Sequence, residues 1–166
     1  SLHGRTVKDR YHGEVKYDLI AQAVKRVNCP VLANGNIDSA ATALKILSQT
    51  GAAGVMVGRW AIGNPWIFNQ IRQVLLSKPI SAVPLAEVRE YIDRLRLTPE
   101  AVKTPPRARA GHLKMYLNYI ALLVDSEGNF LRLMRKTKTE VELLRLCDNI
   151  LLNSNKYLAL APYSSN

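Results

Sequence analysis

The stretch Pro30-Val31-Leu32-Ala33-Asn34-Gly35-Asn36 and its echo Gly54-Val55-Met56-Val57-Gly58-Arg59 decide the fold. Each is a short apolar run that stops at a glycine beside a polar residue, the pattern of a strand buried on both faces. Between them Asp38 or Ser39 is placed to cap a helix in which Ala40, Leu44 and Leu47 recur at helical spacing, with Gly51 as its stop. Upstream, Tyr17, Ile20, Val24 and Val27 form a second amphipathic stripe, and Leu2-His3-Gly4-Arg5 reads as the end of a third strand. Strands separated by single crossover helices make a parallel sheet. Right-handed crossovers then put Asn34 and Gly58 at the same sheet edge.

The character changes after Lys78. Pro79, Pro84 and Pro99 punctuate the chain, Lys103-Thr104-Pro105-Pro106 reads as a linker, and from Arg107 to about Leu152 the periodicity is helical without strand-like runs. The expected organisation is therefore an α/β portion over 1–78, a connecting helix and Pro-rich linker over 79–106, and a helical module over 107–166. A chain of 166 residues that is 48% hydrophobic can bury a real core, which excludes disorder as its main state. Its apolar runs break well before the roughly 18 residues needed to cross a bilayer, so no membrane partner is expected. Cys29 and Cys147 are too few for a disulfide framework and lack metal or redox spacing, which fits a reducing cytoplasm. The opening Ser-Leu-His-Gly-Arg, without Met and inside a strand end, is expected of a piece of a longer protein.

Charge points to a polyanion. The net charge is +10, and residues 103–138 carry eight cations (Lys103, Arg107, Arg109, Lys114, Arg132, Arg135, Lys136 and Lys138) against Asp125 and Glu127. All of these but Lys103 make the candidate nucleic-acid-binding face; the plainer reading is a solvated helical surface. Tyr116 and Tyr119, interleaved with them, could touch RNA or belong to the core.

Both strand exits, Asn34-Gly35-Asn36 and Gly58-Arg59, have the make-up of a phosphate cradle. Glycines let backbone N–H groups approach a ligand, a following helix N-terminus adds positive dipole, and Arg59 adds a charged contact. In (β/α)8 barrels this site lies after strands 7 and 8. Either glycine alone is no more than a tight turn; the two motifs one crossover apart make the case. His3 and Arg5, at the mouth of the third strand, can reach a cofactor or an anionic substrate.

In order and spacing, Leu2-His3-Gly4-Arg5-Thr6, Tyr11-His12-Gly13, Pro30–Ile37, Gly54–Arg59 and Gly63-Asn64-Pro65-Trp66-Ile67-Phe68 resemble the carboxyl half of the tRNA-dihydrouridine synthase barrel. The resemblance is close over about residues 2–76 and thinner beyond, where it rests on Met134-Arg135-Lys136. It implies the last strands and helices of a partial (β/α)8 TIM barrel followed by an all-α helical domain that helps hold tRNA. It also implies an FMN-dependent oxidoreductase that uses NADPH to interconvert uridine and 5,6-dihydrouridine. By the same resemblance His3 is a flavin-contacting histidine, Arg5 the motif arginine, and Asn34, Gly35, Asn36, Gly58 and Arg59 belong to the FMN phosphate cradle.

Three positions depart from the family pattern: Asn36 where Asp is usual, Trp60 where Gly is usual, and Thr137 where His is common. The family's catalytic cysteine and its phosphate-contacting lysine are expected upstream of Ser1, so the chain alone is expected to be inactive. Cys29, at the amino end of a strand, reads as a buried packing thiol, and Cys147 as core. Trp66 and Phe68 are expected to pack between barrel and helical module, and Trp60 could stack on a base or flavin. Truncation should leave Val31, Ala33, Val55 and Val57 uncovered and the sheet edges open to self-association. The competing readings are a catalytically inactive RNA-binding module, and another FMN or sugar-phosphate barrel such as a dihydroorotate dehydrogenase relative.

Overall fold

The structure is a computed structural model that describes residues 1–6, 8, 13–125 and 127–161. Tyr11 and His12 of the second motif lie outside the described residues. The molecule is a mostly helical α/β protein with one three-stranded parallel sheet, and it divides into two compact units: Ser1–Ala61 with Pro65–Ile80, and Ile62–Asn64 with Ser81–Asn166.

In the first unit the order is β1 (Leu2–His3), α1 (Tyr17–Arg26), β2 (Leu32–Asn34), α2 (Ala40–Thr50), β3 (Gly54–Met56), the short α3 (Trp60–Gly63) whose last residues belong to the other unit, and α4 (Ile67–Leu75). The sheet order is β1-β2-β3, with His3 opposite Asn34 and Asn34 opposite Met56. Helix α2 starts and stops as its sequence dictates. The Ser39 side chain accepts from the Thr42 N–H, and Gly51 closes the helix in the left-handed conformation at φ 65°.

Two expectations about faces fail. The buried side of α2 is Ala40, Ala43, Ile46 and Thr50, while Leu44 is exposed. In β2, Ala33 is wholly buried against the helices and Leu32 faces outward; Val31, Val55 and Val57 also pack against the core. The apolar side chains left bare on the other face of the sheet are therefore Leu32 and Met56, the alternate set, while Leu2, registered with Ala33, is exposed at the sheet's edge. A run that is apolar at every position does not reveal which parity turns toward the helices. Cys29 is exposed rather than buried, because it lies in the turn before β2 and not in the strand. Phe68 is about half exposed, beside Leu75 along an open groove of this unit.

The second unit is built from α5 (Leu85–Arg96), α6 (Pro99–Lys103), α7 (Pro106–Val124), α8 (Asn129–Lys136), α9 (Glu140–Cys147) and a π-helical turn, Asp148–Leu152. Its prolines begin helices instead of separating modules. Pro84 precedes α5, Pro99 opens α6, and Pro105-Pro106 opens α7, positions where the missing N–H is not needed. The stretch read as a linker thus shrinks to Thr104 and Pro105. On α7 the stripe Leu113, Leu117 and Ile120 is buried at helical spacing, and Phe130, Met134, Leu143 and Leu151 complete the core. The chain returns at its end: the Leu158 N–H donates to Val83 O (2.8 Å) and the Leu85 N–H to Lys156 O (3.1 Å).

Arg89, with 12% of its side chain exposed, ties α5 to the π-helical turn through Asp148 (2.6 Å) and pairs within α5 with Asp93 (2.7 Å). Although burial alone would raise it, hydrogen bonds from Arg89 and Arg96 hold the Asp93 carboxyl below its ordinary value. Cys147 is core, as expected, and burial pushes its thiol up to about 12. That raised value makes Cys147 a source of stability at neutral pH that disappears in alkali. The contribution is complete below the ordinary thiol range and is lost as pH climbs toward 12. Urea unfolding followed across the alkaline range should show the loss, and Cys147→Ala should flatten the slope. An unchanged slope in the variant would place the dependence elsewhere.

Candidate functional site

Because the three strands are parallel and in register at His3, Asn34 and Met56, their carboxyl ends open on one edge. Beyond that edge a cavity of about 240 Å³ gathers all seven residues expected at a cofactor: His3, Arg5, Asn34, Gly35, Asn36, Gly58 and Arg59. Ile37, Met56 and Trp60 complete its lining, and no carboxylate takes part among the described residues. The cavity is smaller than the roughly 300–1,000 Å³ of a whole small-molecule site.

Each side chain is positioned by its neighbours. The Arg5 backbone N–H donates to His3 Nδ1 (3.0 Å), which leaves Nε2 to carry the proton of a neutral ring. The Arg5 guanidinium bridges two loops, donating from Nε to Gly13 O (2.9 Å) and from Nη1 to Asn36 Oδ1 (3.0 Å). Asn36 holds φ at 48°, a left-handed conformation that Asn tolerates better than most residues. Asn34 donates from Nδ2 to Met56 O (2.6 Å), lacing β2 to β3 at the cavity floor.

Gly35 is required by its backbone. It sits at φ 131°, and a Cβ there would come within 2.8 Å of Val15 Cγ1. Gly58 differs: a Cβ would meet nothing within 4 Å, so the side chain that is absent keeps space open beside the chain. The expected dipole from a following helix is weak, since α3 is four residues long. Positive charge on this side comes from Arg59.

Tyr17 is the residue that sequence reasoning missed. Its hydroxyl donates to the Gly35 carbonyl oxygen (2.9 Å) and so fixes the cradle loop from below; burial, partly countered by Arg5, holds its pKa above the ordinary phenol value. By spacing alone it is one member of an apolar stripe with Ile20, Val24 and Val27. Tyr17→Phe should cost about 1 kcal/mol of stability, the usual net value of one such bond. Equal melting of the two proteins would show that the hydroxyl does nothing there.

The basic residues are arranged differently. Arg107, Arg132, Arg135, Lys136 and Lys138 are exposed. Lys114 is turned onto the protein: its ammonium donates to the carbonyl oxygens of Arg135 and Thr137, capping the carboxyl end of α8. Arg109 donates from Nε to Thr104 O (3.1 Å), and Arg132 to the Asn129 side chain. Among the described residues no helix is long and apolar enough to cross a membrane, and no cluster of metal-ligating side chains is present.

Comparison with known proteins identifies the class. The dihydrouridine synthase (Dus) family matches residues 1–155, and the chain belongs to that family. It is 45% identical to tRNA-dihydrouridine synthase B of Pseudomonas syringae pv. tomato over 93 residues, which cover 55% of this chain and 28% of that protein. The same enzyme of Vibrio cholerae is 43% identical over 93 residues, covering 55% of this chain and 29% of the relative. That of Escherichia coli K12 is 40% identical over the same shares. The matched region is thus less than a third of the length of these curated relatives.

Proposed function

We propose that this chain supplies the phosphate-binding side of the flavin site and the RNA-binding helices of a cytoplasmic tRNA-dihydrouridine synthase, as the last strands and helices of a (β/α)8 barrel followed by a helical domain. One observation carries the reading: His3, Arg5, Asn34, Gly35, Asn36, Gly58 and Arg59 surround one cavity at the carboxyl ends of three parallel strands. A cavity without carboxylates, with an open Gly58 and with Arg59 on its rim fits a dianionic phosphate. Its modest volume suits the phosphate and part of the ribityl chain, with the ring system completed by other parts of a longer protein.

When bound, FMN supplies a hydride carrier that takes electrons from NADPH and reduces the 5,6 double bond of uracil. This chain's residues bind and orient. Arg59 and the Gly58 backbone hold the phosphate; Asn34 and Met56 keep the strand ends together; Arg5 and Asn36 brace the loop; and His3 offers its Nε2 proton to an acceptor on the ligand. The acid that protonates the uracil carbon is not among these residues, so the chain by itself is inactive in this reading. Family membership favours it over a dihydroorotate dehydrogenase relative. The outer edges of β1 and β3, unpaired among the described residues, are seats for further barrel strands or, for the chain alone, for a second copy.

The test uses a family-length protein that contains this chain. Flavin absorbance in the purified protein and NADPH-dependent dihydrouridine in treated tRNA, read by mass spectrometry, are expected together. A colourless protein that leaves tRNA unchanged would overturn the reading.

A further inference from the structure

The second unit holds a cavity of about 190 Å³ between α5, α6, α7 and α9, lined by residues of that unit alone. Its walls include Leu97, Val102 and Leu113, and its polar groups include Arg109, His112 and Glu140. Leu97 is 74% exposed and Val102 56%, unusual exposure for apolar side chains at the rim of a polar-lined hollow. His112 stacks edge-to-face on Tyr116 (5.5 Å between centroids), and its Nε2 is buried without a hydrogen-bond partner. Such an atom costs free energy unless something satisfies it.

The remaining polar groups are held in place. Glu140 accepts from Arg96 Nε through one oxygen (3.0 Å), and Arg96 is itself neutralised by Asp93 (3.0 Å), leaving the second Glu140 oxygen as an acceptor. Arg109 is anchored through Nε to Thr104 O, with its two terminal nitrogens still carrying donors. The cavity therefore presents a fixed acceptor, fixed donors and aliphatic walls together. A free anion would suit Arg109 and His112 but meet Glu140; an aliphatic ligand would leave His112 unsatisfied. A planar heterocycle with donors and acceptors on its edge satisfies all three.

We propose that this cavity takes one unpaired nucleobase of the RNA, read on its edge by His112, Arg109 and Glu140 and covered by Leu97 and Val102. The proposal rests on the RNA reading above and adds to it a contact with a base, which the exposed cations do not provide. Arg107 is exposed nearby along α7, where it can hold the backbone of the same strand.

Two measurements test it. Imidazole nitrogen resonances of the three histidines, with His112 assigned from His112→Phe, are followed as adenosine, guanosine, cytidine, uridine or inorganic phosphate is added to millimolar concentration. At least one nucleoside should move the His112 Nε2 signal, inorganic phosphate should not, and Val102→Trp, at an exposed rim position, should abolish the shift. No response to any nucleoside, or an equal response to phosphate, would overturn the proposal. In tRNA titrations Val102→Trp and His112→Phe should each weaken binding about tenfold, of the order expected for one base contact, without changing the salt slope. A changed slope with unchanged affinity at low salt would refute a base pocket. Normal tRNA binding with an unresponsive His112 would sink the pocket alone, whereas absence of any tRNA binding would sink the RNA reading and the pocket with it.

Discussion

Replacing Arg59 by alanine in a family-length protein should weaken FMN binding by about 1.5 to 3 kcal/mol, roughly ten- to a hundredfold, if its guanidinium makes a charged hydrogen bond to the phosphate. The physical basis is the composition of the cavity rim. Among the described residues lining the cavity there is no carboxylate, and α3 is too short to contribute a useful dipole, so the Arg59 guanidinium supplies positive potential next to Gly58. Arg5 is less able to compensate, because its guanidinium is committed to Gly13 and Asn36. Flavin fluorescence during titration gives the affinity. Arg72→Ala, on the exposed side of α4, is the control and should leave it unchanged. Equal affinity in Arg59→Ala and the unaltered protein would remove Arg59 from the site.

The second large effect concerns RNA. If the exposed cations contact three to five phosphates, tRNA affinity should drop on the order of ten- to a hundredfold between roughly 50 and 200 mM salt. Arg135 and Lys136 occupy the last turn of α8, are both exposed, and have no structural duty like that of Lys114. The double variant Arg135→Ala, Lys136→Ala should therefore lower the salt slope by about two phosphate contacts while circular dichroism stays the same. Lys114→Ala is the instructive contrast. Its loss removes donors from the carboxyl end of α8, so stability should suffer before the slope does. Salt-independent binding, or identical slopes in the double variant and the parent, would reduce the basic stretch to a solvated surface.

What could be read from the residues alone was the punctuation. Ser39 and Gly51 delimit α2 through chemistry local to a few residues, and the glycines after Asn34 and Val57 end their strands for the same reason. Faces were harder. Val31-Leu32-Ala33 is apolar throughout, so nothing local says that Ala33 and not Leu32 meets the helices; only packing decides. Prolines misled in the other direction, because a residue that ends one helix is equally suited to begin the next. Pro99 and Pro106 each begin one, and Pro84 stands just before another. At the cavity, residues that face the ligand carried their own signal in glycine, asparagine and arginine. The supports behind them did not. Tyr17 and Val15 act through long-range contacts that no spacing announces, and His112 acquires its meaning only when α5, α6 and α9 close around it.

The bare side of the sheet has a thermodynamic consequence. Leu32 and Met56 face outward and each outer strand is paired on one side among the described residues, so a barrel strand or second copy covering this face, as proposed above, would bind the folded first unit and not the unfolded chain. Its free energy of unfolding is then not a constant of the sequence. It is a linked quantity that grows with the logarithm of the concentration of whatever covers the sheet, by about 2.7 kcal/mol at a hundredfold excess over the dissociation constant. Under that proposal, folding and assembly of this part of the molecule are linked equilibria.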